Sequence, residues 1–220
     1  MIHSSRFHCY SLTICLLGSL CLFLGGCAAF GTVGYLIKGD EIDPPCKNIL
    51  KGKVAIVCRP GPSTSYQNGD FANELARALQ TRIQQGLKKR QKVELIPRRE
   101  IEDYCDGMEA SMQFDEIGAA VGADQVIAVD LRYNTHIGGI NIWRGHAIVE
   151  VSLIDVATGD ILYDAHDMNE FTYPANAAIS ASEKSEHAFL REYLVELADY
   201  ISRAFVPYSR FDHVKPISAG

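Results

Sequence analysis

The chain has one tryptophan, four methionines and no Cys-x-x-Cys pair. Without that pair there is no basis for a zinc ribbon or a thioredoxin-like redox site. No glycine-rich loop has phosphate-cradling spacing, which removes the nucleotide-binding loops. The stretch that comes nearest a nucleophile elbow, Gly61-Pro62-Ser63-Thr64-Ser65, fails on two counts. Ser65 stands where the second glycine belongs, and Pro62 stiffens the turn. Positive charge is also scarce: 21 Lys and Arg face 27 Asp and Glu, a formal net charge of −6. A mildly acidic chain does not suit a nucleic-acid platform.

Acid is absent from the first 26 residues, where Arg6 is the one formal charge. That segment has the three parts of a secretory signal. A short n-region, Met1 to His8, precedes an apolar run from Cys9 to Leu24. Gly25 and Gly26 follow, and then Cys27. Small residues let a peptidase cleft close on extended backbone, and a cysteine at the first mature position can accept a diacylglycerol. Leu24-Gly25-Gly26-Cys27 resembles the bacterial lipoprotein signal. An uncleaved membrane span is the plain alternative, but such a helix needs about 20 apolar residues. The run here is shorter, and the two glycines interrupt it. Cleavage removes Arg6 and no acid, taking the formal charge from −6 to −7. Ala28 rather than aspartate follows the cysteine. By enterobacterial-type sorting that implies the outer membrane, with the domain facing the periplasm.

Residues 27–52 read as a lipid-anchored tether, broken by glycine and held extended around Pro44-Pro45. A domain over 53–206 and a loose tail over 207–220 complete the chain. Cys9, Cys15 and Cys21 fall in the signal, which leaves Cys46, Cys58 and Cys105 in the exported part. Three cysteines allow one disulfide and one thiol, or no disulfide. Cys58 lies in an apolar strand and reads as core. The acids around Cys105 would raise its pKa and blunt it as a nucleophile.

Hydrophobic patterning places a buried central strand at Lys53–Cys58. A helix follows, with Asp70 as N-cap and a stripe of Phe71, Leu75, Leu79 and Ile83. A short strand, Val93–Ile96, ends at Pro97, and helical turns follow from Arg98 to Tyr104. Next come a helix over Phe114–Val121, a strand over Gln125–Leu131 and a glycine-bearing hairpin loop over 134–145. His146–Ile154 and Ile161–Tyr163 form a hairpin around Thr158-Gly159. Residues 164–181 read as an irregular connection. A long helix spans Glu183–Val206, with Ser180 and Glu183 as its capping box and Pro207 as its stop. The order β-α-β-α-β-β-β-α specifies an α/β (α+β) domain: a mixed sheet of about five strands with helices packed on it.

This order on a lipoprotein resembles a group of bacterial envelope domains: the amino-terminal domain of TolB, the curli secretion lipoprotein CsgG and the activator LpoB. The residues that carry the likeness are Lys53–Cys58, Arg98-Arg99-Glu100-Ile101 and the helix–Gly122-Ala123-Asp124–strand step. The hairpin around Ala157-Thr158-Gly159 belongs to the same set. Members of the group mostly bind other proteins, so the resemblance implies a binding or assembly module with no active site and no cofactor. The long amphipathic strands of a CsgG-type membrane barrel are not evident.

Trp143-Arg144 in the glycine-bearing loop has the composition of a partner-binding hot spot. The plain alternative is a tryptophan packed beneath that loop. The basic run Lys88-Lys89-Arg90-Gln91-Lys92, with Arg98 and Arg99, suits either anionic lipid or a solvated helix end. Asp164, His166 and Asp167 are the tightest local set of metal-ligand types, and a metal-dependent hydrolase built on them is the alternative function. His136, His146 and His187 match no ligand spacing. The function these features support best is a membrane-anchored lipoprotein. Lipid on Cys27 would hold it, and the domain would dock an envelope protein or further copies of itself.

Overall fold

The computed structural model describes residues 41–60, 67–87, 93–105, 112–165 and 170–209, with backbone only at 67–69, 133–134 and 136–139. Asp43–Tyr208 form one compact unit. The other unit takes in residues 1–42 and 209–220, of which 41, 42 and 209 are described. Cys27, the signal and most of the expected tether and tail therefore lie outside the described residues.

The compact unit is a mixed seven-stranded sheet with helices on both faces. In chain order its elements are β1 (Gly52–Pro60), α1 (Gln67–Gly86), β2 (Val93–Leu95), α2 (Arg98–Cys105), α3 (Phe114–Ala120), β3 (Gln125–Gly139) and β4 (Ile142–Asp155). β5 (Ile161–Asp164), β6 (Glu170–Tyr173), β7 (Ile179–Ser180) and α4 (Glu186–Ser202) follow. The path β2-β1-β3-β4-β5 is parallel up to β3 and antiparallel beyond it. β6 and β7 pair with β4 farther along its outer edge.

Alternation along the strands divides the core in two. Val54, Ile56 and Cys58 of β1, with Ile127, Val129 and Leu131 of β3, face α1 and α4. Ala55, Val57, Val126 and Ala128 face the other way, onto Ile101 of α2 and Ile117 of α3. The expected stripe Phe71, Leu75, Leu79 and Ile83 is buried as a row, and Phe189, Tyr193, Leu197 and Ile201 of α4 meet it. At the near end of the sheet Asp124 ties the strands together. Its carboxylate accepts from the Lys53 N–H at 2.8 Å, and its own N–H donates to the Lys53 carbonyl at 2.7 Å. Buried Gln125 accepts from the Lys51 N–H and donates to the Ile49 carbonyl, which satisfies both ends of its amide. Cys46 and Leu50, upstream of β1, are buried in the larger core.

Four local expectations change. The loop over 134–145 is strand: β3 runs on to Gly139, and β4 starts at Ile142. A two-residue turn joins them, with Asn141 at φ 61°. Asparagine tolerates that left-handed conformation better than most residues, so no long loop is needed. The connection over 164–181 contains β6 and β7, which raises the strand count from about five to seven. α4 starts at Glu186, because Ser185 rather than Ser180 caps it, accepting from the Ala188 N–H. Ser180 instead sits in β7 and bonds Ser182. α1 begins at Gln67, so Asp70 lies inside the first turn, where its charge still suits the helix end.

Cys46, Cys58 and Cys105 form no disulfide with one another. Burial pushes both Cys46 and Cys58 up to about 12. They stay protonated at neutral pH, so they resist alkylation. Brief iodoacetamide treatment of the folded chain at about pH 8 should leave the Cys46 and Cys58 peptides unmodified by mass spectrometry, with modification appearing only after denaturation. Because their folded pKa lies above the unfolded value, both thiols subtract stability as pH rises from about 9 toward 12, and neither affects it below that window.

The far half of the long hairpin

β1 ends opposite Leu131, at the pair Pro60–Leu131. Beyond it, among the described residues, β3 pairs only with β4, and β4 carries β6 and β7 on its other edge. The far half of the hairpin thus overhangs the parallel part of the sheet. It has two unlike faces. Gly145, Ala147 and Val149 are buried toward α4. Arg144, His146, Ile148 and Glu150 point the opposite way. No described helix covers them there, because α2 and α3 pack lower, on Ala55, Val57, Val126, Ala128 and Ile154.

Trp143 and Arg144 are separated by this alternation. Trp143 is half-buried. Its Nε1 donates to the Lys184 carbonyl at 2.9 Å, and its ring stacks on Phe189 at 6.3 Å. The packed position is the one the indole takes. Arg144 is exposed on the uncovered face and makes no ion pair among the described residues. Around it, Arg132 pairs with Glu150 and His146 with Glu170 at 2.9 Å, both across strands. The Glu150 carboxylate bonded to Arg132 raises that guanidinium's pKa. Exposed apolar surface lies here as well. Ile140 at the turn is 93% exposed, and Ile148 is partly exposed. Ile140 was missed in the sequence, where it reads as one more residue of a loop. Its signal was the Ile140-x-Ile142 alternation leading into the strand.

From Tyr133 to Val149 the chain contains no carboxylate, whereas the whole chain holds 27. The far half of the hairpin thus contributes no acid of its own along that stretch, and the carboxylates at its margin, Glu150 and Glu170, are engaged by Arg132 and His146. A guanidinium with no ion pair among the described residues, on a hairpin that also exposes two isoleucines, is a surface that can bind by burial and orient by charge.

The other candidates fare differently. Asp164 is exposed on β5, and His166 and Asp167 lie outside the described residues. His146 and His187 sit apart on β4 and α4, and the side chain of His136 is outside the described set. Among the described residues no group of three His, Cys, Asp or Glu side chains could hold a metal ion. Lys88 to Lys92 also lie outside. Arg98 turns inward: it donates to the Ile56 carbonyl at 3.0 Å, to Glu102 at 3.0 Å and to Asn73 at 3.1 Å. Its work is structural, and the depressed Glu102 carboxylate, bonded first by Arg77 and then by Arg98, reflects that network.

No family model matches the chain, and no curated protein matches it. Several solved structures are similar in fold. The PelC dodecamer from Paraburkholderia phytofirmans is 12% identical with a TM-score of 0.43, covering 76% of this chain and 95% of that one. Lipoprotein GNA1162 from Neisseria meningitidis is 12% identical with a TM-score of 0.44, covering 69% and 98%. The LpoB C-terminal domain from Salmonella enterica is 15% identical with a TM-score of 0.33, covering 64% and 90%. Likeness at this level concerns the fold and carries no argument about activity.

Proposed function

We propose that this chain is a bacterial envelope lipoprotein, anchored through Cys27, whose α/β domain is a protein-binding or assembly module. The observation that carries the docking part is the uncovered far face of the β3–β4 hairpin. Among the described residues Arg144 makes no ion pair there, and Ile140 and Ile148, each four residues away along the chain, are exposed. Trp143 seats the hairpin on α4, and Arg144 meets the partner. The anchoring part is supported by the signal-like segment ending at Cys27. Its expected place is the outer membrane, with the domain in the periplasm, and the partner is an envelope protein or a further copy.

Anchoring has a direct test. Labelled palmitate should enter the native chain, and the chain should sediment with the membranes. Cys27→Ser should abolish labelling and leave an uncleaved precursor. Equal labelling of both forms would remove the lipoprotein assignment.

A further inference from the structure

The overhanging half of the hairpin needs support that the sheet does not give. A two-stranded ribbon alone is marginally stable, and β6 and β7 add only short strands. Burial of Gly145, Ala147 and Val149 toward α4 gives part of that support, and a closed ring of contacts through Lys184 adds the part that fixes the hairpin's angle. Its backbone carbonyl accepts from Trp143 Nε1 at 2.9 Å. Its ammonium pairs with Glu192 on the second turn of α4. The same Glu192 oxygen accepts from the Tyr173 hydroxyl at 3.2 Å. Tyr173, in β6, is the strand partner of Gly145, two residues from Trp143 in β4. Phe189 fills the middle, 6.3 Å from the Trp143 ring and 5.9 Å from the Tyr173 ring.

The structure assigns Lys184 and Glu192 as positioning residues that set the angle of the far hairpin, and so the placement of Arg144 and Ile140, while touching no partner themselves. The inference rests on the docking reading above. The ring's geometry explains why it acts at a distance. Trp143 and Arg144 are adjacent on β4 and face opposite ways, so whatever holds Trp143 against α4 holds Arg144 outward. Glu192 stabilises Lys184 and Tyr173 through one oxygen, and losing its charge loosens both links. Burial and the Glu192 charge together push the Tyr173 hydroxyl up to about 12, so Tyr173 remains a donor throughout the neutral range.

Trp143 is the only tryptophan, so its fluorescence reports the ring directly. Full-length chain in detergent carrying Glu192→Gln or Lys184→Met should show red-shifted emission and a several-fold rise in acrylamide quenching. The unfolding midpoint should stay unchanged, and Lys184→Arg should restore the native spectrum. In cells, a photoreactive residue at position 140 should give adduct yields about tenfold lower in the first two variants and near native in Lys184→Arg. Unchanged emission in both variants would overturn the ring. Shifted emission with undiminished adducts would overturn positioning. If the native chain gives no adduct, the docking reading fails and takes this inference with it, while the spectra still report whether the ring holds Trp143.

Discussion

Gly145→Ala should destabilise the domain by about 3 kcal/mol, lowering the thermal midpoint by roughly 10 °C. A Cβ at Gly145 would lie 2.3 Å from a Tyr193 ring carbon, closer than real side-chain contacts come. The ring has nowhere to go. Tyr193 is fully buried, with Phe71, Phe171 and Phe189 at 5.7, 6.1 and 6.1 Å. An interior packed to crystal-like density answers an added methyl with backbone movement or an off-rotamer side chain. Gly122→Ala is the control. Nothing lies within 4 Å of its Cβ position, and only its φ of +70° opposes the change. That costs about 1 kcal/mol. Differential scanning calorimetry should rank the two variants in this order. Equal small shifts would mean that the hairpin does not press on α4 as described.

Reversing the charge at Arg144 should cost docking and spare the fold. Arg144 is exposed and unpaired among the described residues, so Arg144→Glu should change stability by less than about 0.5 kcal/mol. A cation at the centre of a docking surface commonly carries a large share of the binding energy, and reversal adds repulsion to its loss. The complex should weaken at least about tenfold. Ile140→Asp should act in the same direction, because a 93% exposed isoleucine at a turn contributes little to the fold. Ile161→Asp is the matched control, since Ile161 is 61% exposed on β5 and pairs with Ile154, at the other end of β4 from the far half of the hairpin. The measurement is the amount of crosslinked complex recovered from cells at equal protein level.

Core elements were legible because burial leaves a period in the sequence. Val54 to Cys58 is apolar on both faces because helices cover both faces of β1. The α1 stripe was complete because that helix buries one side only. The Gly122-Ala123-Asp124 step marked a strand start, and the Asp124 bonds to Lys53 give the physical reason. The far end of the hairpin, residues 132–145, was not legible as strand. One face of it is uncovered, so exposed Arg144 beside inward Trp143 shows no apolar period. Gly138, Gly139 and Gly145 lower strand propensity further, and the last is there to admit Tyr193. β6 and β7 are too short to show a period, and only pairing with β4 makes them strands. Trp143-Arg144 stood out by composition, but composition carries no direction. Strand alternation, which sends one inward and the other outward, became visible only once β4 was known to include both.

The far hairpin is the proposed meeting point of this chain with its partner. Site-specific photocrosslinking in intact cells tests it most directly, with the reactive residue placed in turn at positions 140, 148, 161 and 195. All four native side chains are exposed apolar residues, so exposure itself is controlled. Adducts of one defined mass are expected from 140 and 148, lost in Arg144→Glu, and none from 161 or 195. Adducts from 161 or 195 with none from the hairpin would contradict that proposal.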